Sequence, residues 1–331
     1  MDLSTKYLGF DLPHPFIVGA SYLTEDLGRV RQMEDAGAAA VVLPSLFEEH
    51  VVQDQMATLH HLLVHDDSHG EAQSYLPKPV DDMKAGVEPY LENLLRMKAT
   101  LGIPVVASLN GTTDGGWLDF AKLLQQAGAD ALELNIYIVA ADMGIDGAHA
   151  EQRVLDIVHK VKSEITIPVA VKLSPYFSAF ANLAHQLDEL GADGLVLFNR
   201  FFQPDIDIES QEIKPLLKLS NPTELPLRLA WLGMLSGRVK ASLAVTGGVH
   251  QVEDAVKAVM SGADAIQMVS ALLIHGPQHL GKMRGGLAWW LEERGFDSLA
   301  QAKGSMSLLR SPDPSAYQRQ NYMKMVQSWR P

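Results

Sequence analysis

Residues 127–134 read AGADALEL, and the phrase returns in variant form as AGAAAVVL from Ala36, LGADGLVL from Leu190 and SGADAIQM from Ser261. Each copy follows a stretch of helical periodicity. Before the second copy, Trp117, Phe120, Leu123, Leu124 and Ala127 recur at steps of three and four residues. The glycine ends the helix, because it accepts the left-handed backbone that a C-terminal cap requires. The apolar run after it is too short for a helix and apolar on both faces, which describes a buried parallel strand. Four further strands are expected between the copies, at Pro15–Ala20, Pro104–Leu109, Pro168–Leu173 and Ser242–Thr246. Eight short apolar strands alternating with amphipathic helices predict an α/β fold of the (β/α)8 TIM-barrel type. A doubly wound sheet is the structural alternative, but it normally carries a glycine-rich fingerprint after its first strand. Here that strand ends in Gly19-Ala20-Ser21 with no such motif.

The remaining sequence bounds the function. A chain of 331 residues, 47% hydrophobic and 20% charged, fits one large barrel spanning residues 1–331. Two connections look long for plain barrel loops, from Pro44 to Val87 and from Arg200 to Pro226. Insertions after strands lie at the C-terminal face, where barrel active sites are built. With 27 basic and 40 acidic residues the net charge is −13, which disfavours nucleic acid and anionic membranes as partners. The absence of cysteine excludes disulfides, thiolate metal sites and a cysteine nucleophile. No signal-peptide pattern and no apolar run of membrane-spanning length is seen, so a cytoplasmic location is expected.

Several residues stand out as candidates for chemistry. The seventh strand ends in Gly247-Gly248, and the eighth leads through Val269 and Ser270 into a helix. Loops after these two strands commonly hold phosphate, since glycines let backbone N–H groups approach its oxygens; a plain tight turn is the alternative. Lys172 lies near the end of the fifth strand, facing the barrel mouth by alternation. It serves as a cation against a ligand oxygen or ring, as a salt-bridge partner of Glu133, or as a Schiff-base amine. Asn135 and Asn199 end the fourth and sixth strands, where amides recognise planar heterocycles or cap loops. His60, His61, His65 and His69 cluster in a polar, turn-prone segment, and metal binding is not the favoured reading. No nucleophile elbow surrounds Ser21, Ser108 or Ser270. Trp289 and Trp290 read as core or as a subunit interface.

Taken in order, HPFIVGAS, AGVEPYLENL, LELN, VAVKLSPYF, VTGGV and GADAIQMVSALL resemble the dihydroorotate dehydrogenase family, nearest its soluble class 1 branch, from Leu8 to about Leu309. The resemblance implies an FMN-binding barrel, often dimeric, that oxidises dihydroorotate in pyrimidine biosynthesis. It implies that Ala20 and Ser21 line the flavin, that Asn135 and Lys172 contact its ring, and that Gly247, Gly248, Val269 and Ser270 hold its phosphate. Asn199 matches a residue shared with the substrate. The substrate half departs from the family pattern. Ile138 stands where the family has its cysteine or serine base, Ala140 and Lys84 stand at asparagine positions, and Pro44 at a lysine position. A general base alone contributes about 10²–10⁴-fold, so a changed substrate is expected, a small heterocycle or carboxylate. Tyr137 is a candidate proton donor, with outward packing as its alternative, Arg200 a candidate carboxylate clamp, and Lys84 a candidate substrate contact. A homodimer and a separate electron-transfer subunit are expected by the same resemblance. The competing readings are a non-catalytic FMN- or phosphate-binding barrel, and a Schiff-base lyase or isomerase using Lys172.

Overall fold

The computed structural model describes residues 1–53, 86–200, 204–215, 218–318 and 320–328. Strands β1 (Thr5–Tyr7) and β2 (Phe10–Leu12) form an antiparallel hairpin. The eight barrel strands follow as β3 (Phe16–Val18), β4 (Val41–Phe47), β5 (Val105–Asn110), β6 (Ala131–Asn135), β7 (Val169–Leu173), β8 (Gly194–Leu197), β11 (Ser242–Thr246) and β12 (Ala265–Met268). They pair in parallel and in sequence, and β12 closes on β3. The strands expected from the AGAD-like repeat and between its copies all take part. Two further strands, β9 (Pro204–Asp207) and β10 (Glu212–Pro215), make an antiparallel ribbon inserted after β8.

The repeat works through its aspartate as well as its glycine. Gly37, Gly128, Gly191 and Gly262 all have positive φ at helix ends. In three copies the next polar residue binds the neighbouring strand. Asp130 accepts from Val105 N at 2.7 Å and pairs with Lys98 at 2.5 Å. Asp193 accepts from Val169 N at 2.8 Å and pairs with Lys162 at 2.7 Å. Asp264 accepts from Leu243 N at 2.8 Å and pairs with Lys303. Each aspartate thus satisfies an otherwise orphaned strand-end N–H and locks one βα unit to the next. The first copy carries Ala39 instead.

Strand alternation divides the core. Val169, Val171 and Leu173 pack outward against the helices, while Ala170 points into the barrel with Val106, Ala131, Val196 and Ala244. These interior residues are small because Tyr7, Leu8 and Leu12 of the N-terminal hairpin fill the barrel's lower end. A Cβ on Gly194 would lie 2.6 Å from Leu8 Cδ2, so glycine there admits the plug.

Two expected boundaries move. Pro44 does not begin a loop: β4 runs on to Phe47, and residues 48–53 are helical. A register shift between Val42 and Ser45 takes up the proline, whose missing N–H would interrupt a regular ladder. Glu48 anchors this extension, accepting from Thr112 N at 2.5 Å and Thr113 N at 2.8 Å. The second insertion ends at Glu224, and a helix begins at Leu225 rather than at Pro226. No helix among the described residues is long and apolar enough to cross a membrane. The histidines at 60, 61, 65 and 69 and Lys84 lie outside the described residues. Trp290 stacks on Phe296 at 6.1 Å, whereas Trp289 is exposed.

Candidate active site at the barrel mouth

All parallel strands end on the same face, so their C-terminal residues converge on one opening. A cavity of about 410 Å³ sits there. Ala20 and Ser21 border it after β3, Asn135 at the end of β6, and Lys172 in β7. Asn199 and Arg200 border it after β8, Gly247 and Gly248 after β11, and Val269 and Ser270 after β12. Residues picked from six separate segments of sequence therefore meet in one place. Tyr137 is not among the lining residues. The chain turns out of β6 at Ile136, whose N–H bonds to Lys172 O at 3.1 Å. Ile138, Val139 and Ala140 then border a different groove, with Asp146, Ser174 and Tyr176. The segment bearing the vacant base position thus lies along the outer side of the mouth.

The floor of the cavity is a buried ion pair. Glu133 and Lys172 lie on adjacent strands and face inward, Nζ to Oε1 at 3.2 Å, with side chains 1% and 9% exposed. Gln267 of β12 donates from Nε2 to the other carboxylate oxygen at 2.6 Å. A buried pair is tolerable only when its remaining lone pairs are also satisfied, and Gln267 does this. Tyr7 lies close enough to feel the same charge. Burial pushes its phenol well above the ordinary range, and Glu133 adds to the shift. The salt bridge weighed for Lys172 from sequence is therefore present, and the lysine still borders the cavity.

Above the floor, side-chain hydrogen bonds fix the amides. Asn199 Nδ2 donates to Asn135 Oδ1. Asn135 Nδ2 donates to Ser45 Oγ at 2.9 Å, and Ser45 Oγ meets Ser108 Oγ at 2.8 Å. Tyr90 OH holds the Pro44 carbonyl at 2.9 Å. The chain of contacts ties β4, β5, β6 and β8 together, so both amides are held in place before any ligand arrives.

The far end of the cavity is built from glycine and arginine. Gly247 and Gly248 have φ of +83° and +85°. A Cβ at Gly247 would lie 2.9 Å from Arg228 Nη2, and one at Gly248 2.9 Å from Leu225 N. Ser270 Oγ accepts from Ser220 N at 3.0 Å and meets Ser220 Oγ at 2.9 Å. Arg228 is buried, donating from Nε to Thr246 O and from Nη1 to Glu224 O at 2.7 Å. Burial pushes its guanidinium below the usual range, opposed by the charge of Glu224. Arg200 Nη1 is buried without a hydrogen-bond partner, and Glu224 Oε1 stands 3.9 Å away. Among the described residues the lining carries Lys172, Arg200, Lys218 and Arg228 and no carboxylate. In a chain of net charge −13 this is a local positive pocket. Arg228 and Gln267 were not singled out in the sequence. Each is a lone polar residue inside an apolar run, LPLRLAWL and AIQMV, and that is the only local signal of either.

Residues 83–291 match the family model described as dihydroorotate dehydrogenase. The chain is 26% identical over 309 residues to the dihydroorotate dehydrogenase B (NAD(+)) catalytic subunit of Thermoplasma acidophilum, covering 92% of this chain and 98% of the relative. It is 33% identical over 208 residues to a putative dihydroorotate dehydrogenase A (fumarate) of Aeropyrum pernix, covering 61% of this chain and 67% of the relative. It is 24% identical over 318 residues to the NAD-dependent dihydropyrimidine dehydrogenase subunit PreA of Escherichia coli, covering 92% and 76%.

Proposed function

The chain belongs to the dihydroorotate dehydrogenase family, and from that premise we propose that it is an FMN-dependent oxidoreductase acting on a small substrate other than dihydroorotate. The observation that carries the proposal is the meeting of Ala20, Asn135, Lys172, Asn199, Gly248 and Ser270 around one positive cavity. The residues present fit FMN. A phosphate suits the end where Gly247 and Gly248 hold positive φ without a side chain, leaving the backbone there open to close approach, and where Arg228 is buried. A planar ring suits the end floored by Lys172 and walled by fixed amides. Arg200 Nη1 and Gln267 Oε1, both buried without a hydrogen-bond partner on residues that line the cavity, are consistent with a polar ligand there.

FMN would supply two-electron acceptor chemistry. The chain's own residues would do the rest. Gly247, Gly248, Ser270 and Arg228 bind and orient the phosphate end. Lys172 sets a positive charge against the electron-rich edge of the ring. Asn135 and Asn199 orient the face where substrate lies, and Arg200 is available to an anionic or carbonyl oxygen there. Ile138 has no proton to exchange, and it borders the outer groove rather than the cavity. This is why dihydroorotate itself is not the proposed substrate. The Escherichia coli relative is named a dihydropyrimidine dehydrogenase subunit, which supports a ring substrate other than dihydroorotate for this chain. Relatives named as subunits also support a separate electron-transfer partner for this chain. We place it in the cytoplasm, as one 1–331 functional unit, and expect it to be a homodimer. The Schiff-base reading fares worse, because carbonyl attack needs an amine lone pair, and Lys172 is engaged with Glu133.

The test is a visible spectrum of the purified protein, supplied with FMN, followed by anaerobic dihydroorotate. Flavin bands that persist on addition are the expected result. Bleaching by dihydroorotate would show the substrate half of the proposal to be wrong, and a colourless protein would remove the flavin half.

A further inference from the structure

We propose that Glu133 is a positioning residue that sets how much of the Lys172 charge reaches the bound flavin, and that Gln267 tunes Glu133 in turn. The inference rests on the FMN reading above and deepens it. Three adjacent features of the barrel carry it. Glu133 of β6, Lys172 of β7 and Gln267 of β12 all face inward at the cavity floor. The carboxylate meets the ammonium through Oε1 at 3.2 Å and the Gln267 amide through Oε2 at 2.6 Å. All three residues are buried, so little water screens the pair. Lys172 and Gln267 border the cavity, whereas Glu133 lies beneath them. A ring seated on this floor therefore meets the ammonium and the amide directly and feels the carboxylate through them.

The sign follows from charge. Reduced flavin carries more electron density than oxidised flavin, so a more positive floor favours the reduced form. Glu133→Gln keeps the shape and removes the negative charge, leaving the ammonium uncompensated. Gln267→Met keeps the length and removes the N–H that offsets the carboxylate, making the floor more negative. The two substitutions touch the same hydrogen bond and should act in opposite directions. A merely structural role would not do this, because loosening the floor from either side would disturb the ring in the same way.

The experiment reconstitutes the full chain and both variants with FMN, confirms binding by fluorescence titration, and measures the midpoint potential against a reference dye. Glu133→Gln should shift the redox equilibrium about tenfold toward the reduced form, which for a two-electron couple is about 30 mV. Gln267→Met should shift it the other way by about threefold. Should Glu133→Gln fail to fold, Glu133→Asp draws the carboxylate back by one methylene and should shift the equilibrium toward the reduced form by a smaller factor. Shifts of the same sign in both variants, or an unchanged midpoint in a variant that binds FMN normally, would overturn the inference alone. A wild-type protein that binds no FMN would overturn it together with the reading on which it rests.

Discussion

The cavity has two walls, and they are made differently. The wall from β3, β11 and β12 is in part backbone: Ala20, Gly247, Gly248 and Ser270 present short side chains or none, beside the longer Tyr22, Thr246 and Met268. The facing wall, from β4, β6 and β8, is made of side chains: Pro44, Ser45, Asn135, Asn199 and Arg200. The family patterns survive on the first wall, whereas the second keeps Asn135 and Asn199 and departs at Pro44. A backbone cradle depends on φ angles and close approach, so almost any substitution damages it. A side-chain wall can be rewritten one residue at a time while the barrel stands. The floor of Glu133, Lys172 and Gln267 serves both walls, and the largest expected effect lies there. Lys172→Met leaves Glu133 buried with Gln267 as its remaining partner. Breaking a buried pair from one side costs about 3–5 kcal/mol. Urea unfolding of the FMN-free variant measures it, and Lys172→Met combined with Glu133→Leu should recover much of the loss. A cost under about 1 kcal/mol would mean that the floor is wetter than the geometry shows.

The backbone wall also has a pH signature, at the root of β3. His14 is buried, and its Nδ1 accepts from Phe16 N at 3.3 Å, holding the start of the strand. Burial, with the nearby charge of Arg284, lowers its pKa to about 4. The folded state thus keeps His14 neutral, while the unfolded chain takes up a proton near the ordinary value of about 6.5. Between those values the unfolded state binds more protons, so stability falls as pH falls from about 6.5 to about 4 and the His14 contribution then levels off. At about 1.4 kcal/mol per pH unit the loss is about 3 kcal/mol. His14→Gln should flatten the stability curve across that window. A slope identical to that of the wild-type protein would assign the loss to other groups.

What was legible in the sequence follows the same division. The barrel strands could be read because each AGAD-like phrase punctuates a helix end and a strand start. The reading stopped at the glycine, however, and the aspartate's bond to the neighbouring strand's N–H appears only when Asp130 and Val105 are seen together. Pro44 misled because a proline without an N–H usually ends a strand, and here a register shift absorbs it. Arg228 and Gln267 could not be found by periodicity, since their partners Thr246 and Glu133 lie 18 and 134 residues away. Tyr137 sits beside a recognisable position, but the turn after Asn135 leaves it off the cavity lining.

The glycines test the backbone wall directly. A Cβ on Gly248 would lie 2.9 Å from Leu225 N and 3.1 Å from Leu225 Cα, at a φ of +85°. Backbone cannot give way as a side-chain tip can, and a non-glycine residue at positive φ costs on the order of 1–3 kcal/mol. Gly248→Ala should cost about 1–3 kcal/mol of folding stability, read by urea unfolding, and weaken FMN binding on the order of 100-fold, read by fluorescence titration, because the displaced backbone is the cradle itself. Ser45→Ala on the facing wall supplies the contrast. It removes the Asn135 Nδ2 contact at 2.9 Å but closes no space, so FMN affinity should change by less than about tenfold. Equal losses from the two would erase the distinction between the walls.

The side-chain wall is tested by restoring what it lacks. If this chain differed from an efficient dihydroorotate dehydrogenase only in its base, Ile138→Cys would raise dihydroorotate oxidation by the 10²–10⁴-fold that a general base supplies. The geometry argues for much less. Ile138 packs against the outer core and borders the groove with Asp146 and Tyr176, not the cavity with Lys172. A thiol placed there would have to cross the turn at Ile136, which the Lys172 carbonyl holds at 3.1 Å. Pro44 and Ala140 would still lack the groups that orient the substrate. Ile138→Cys should therefore raise the rate of anaerobic flavin bleaching by dihydroorotate less than tenfold. A gain of several hundredfold would show that the segment after Asn135 swings into the mouth when substrate binds, and that one side chain, rather than the course of the backbone, separates this wall from that of its relatives.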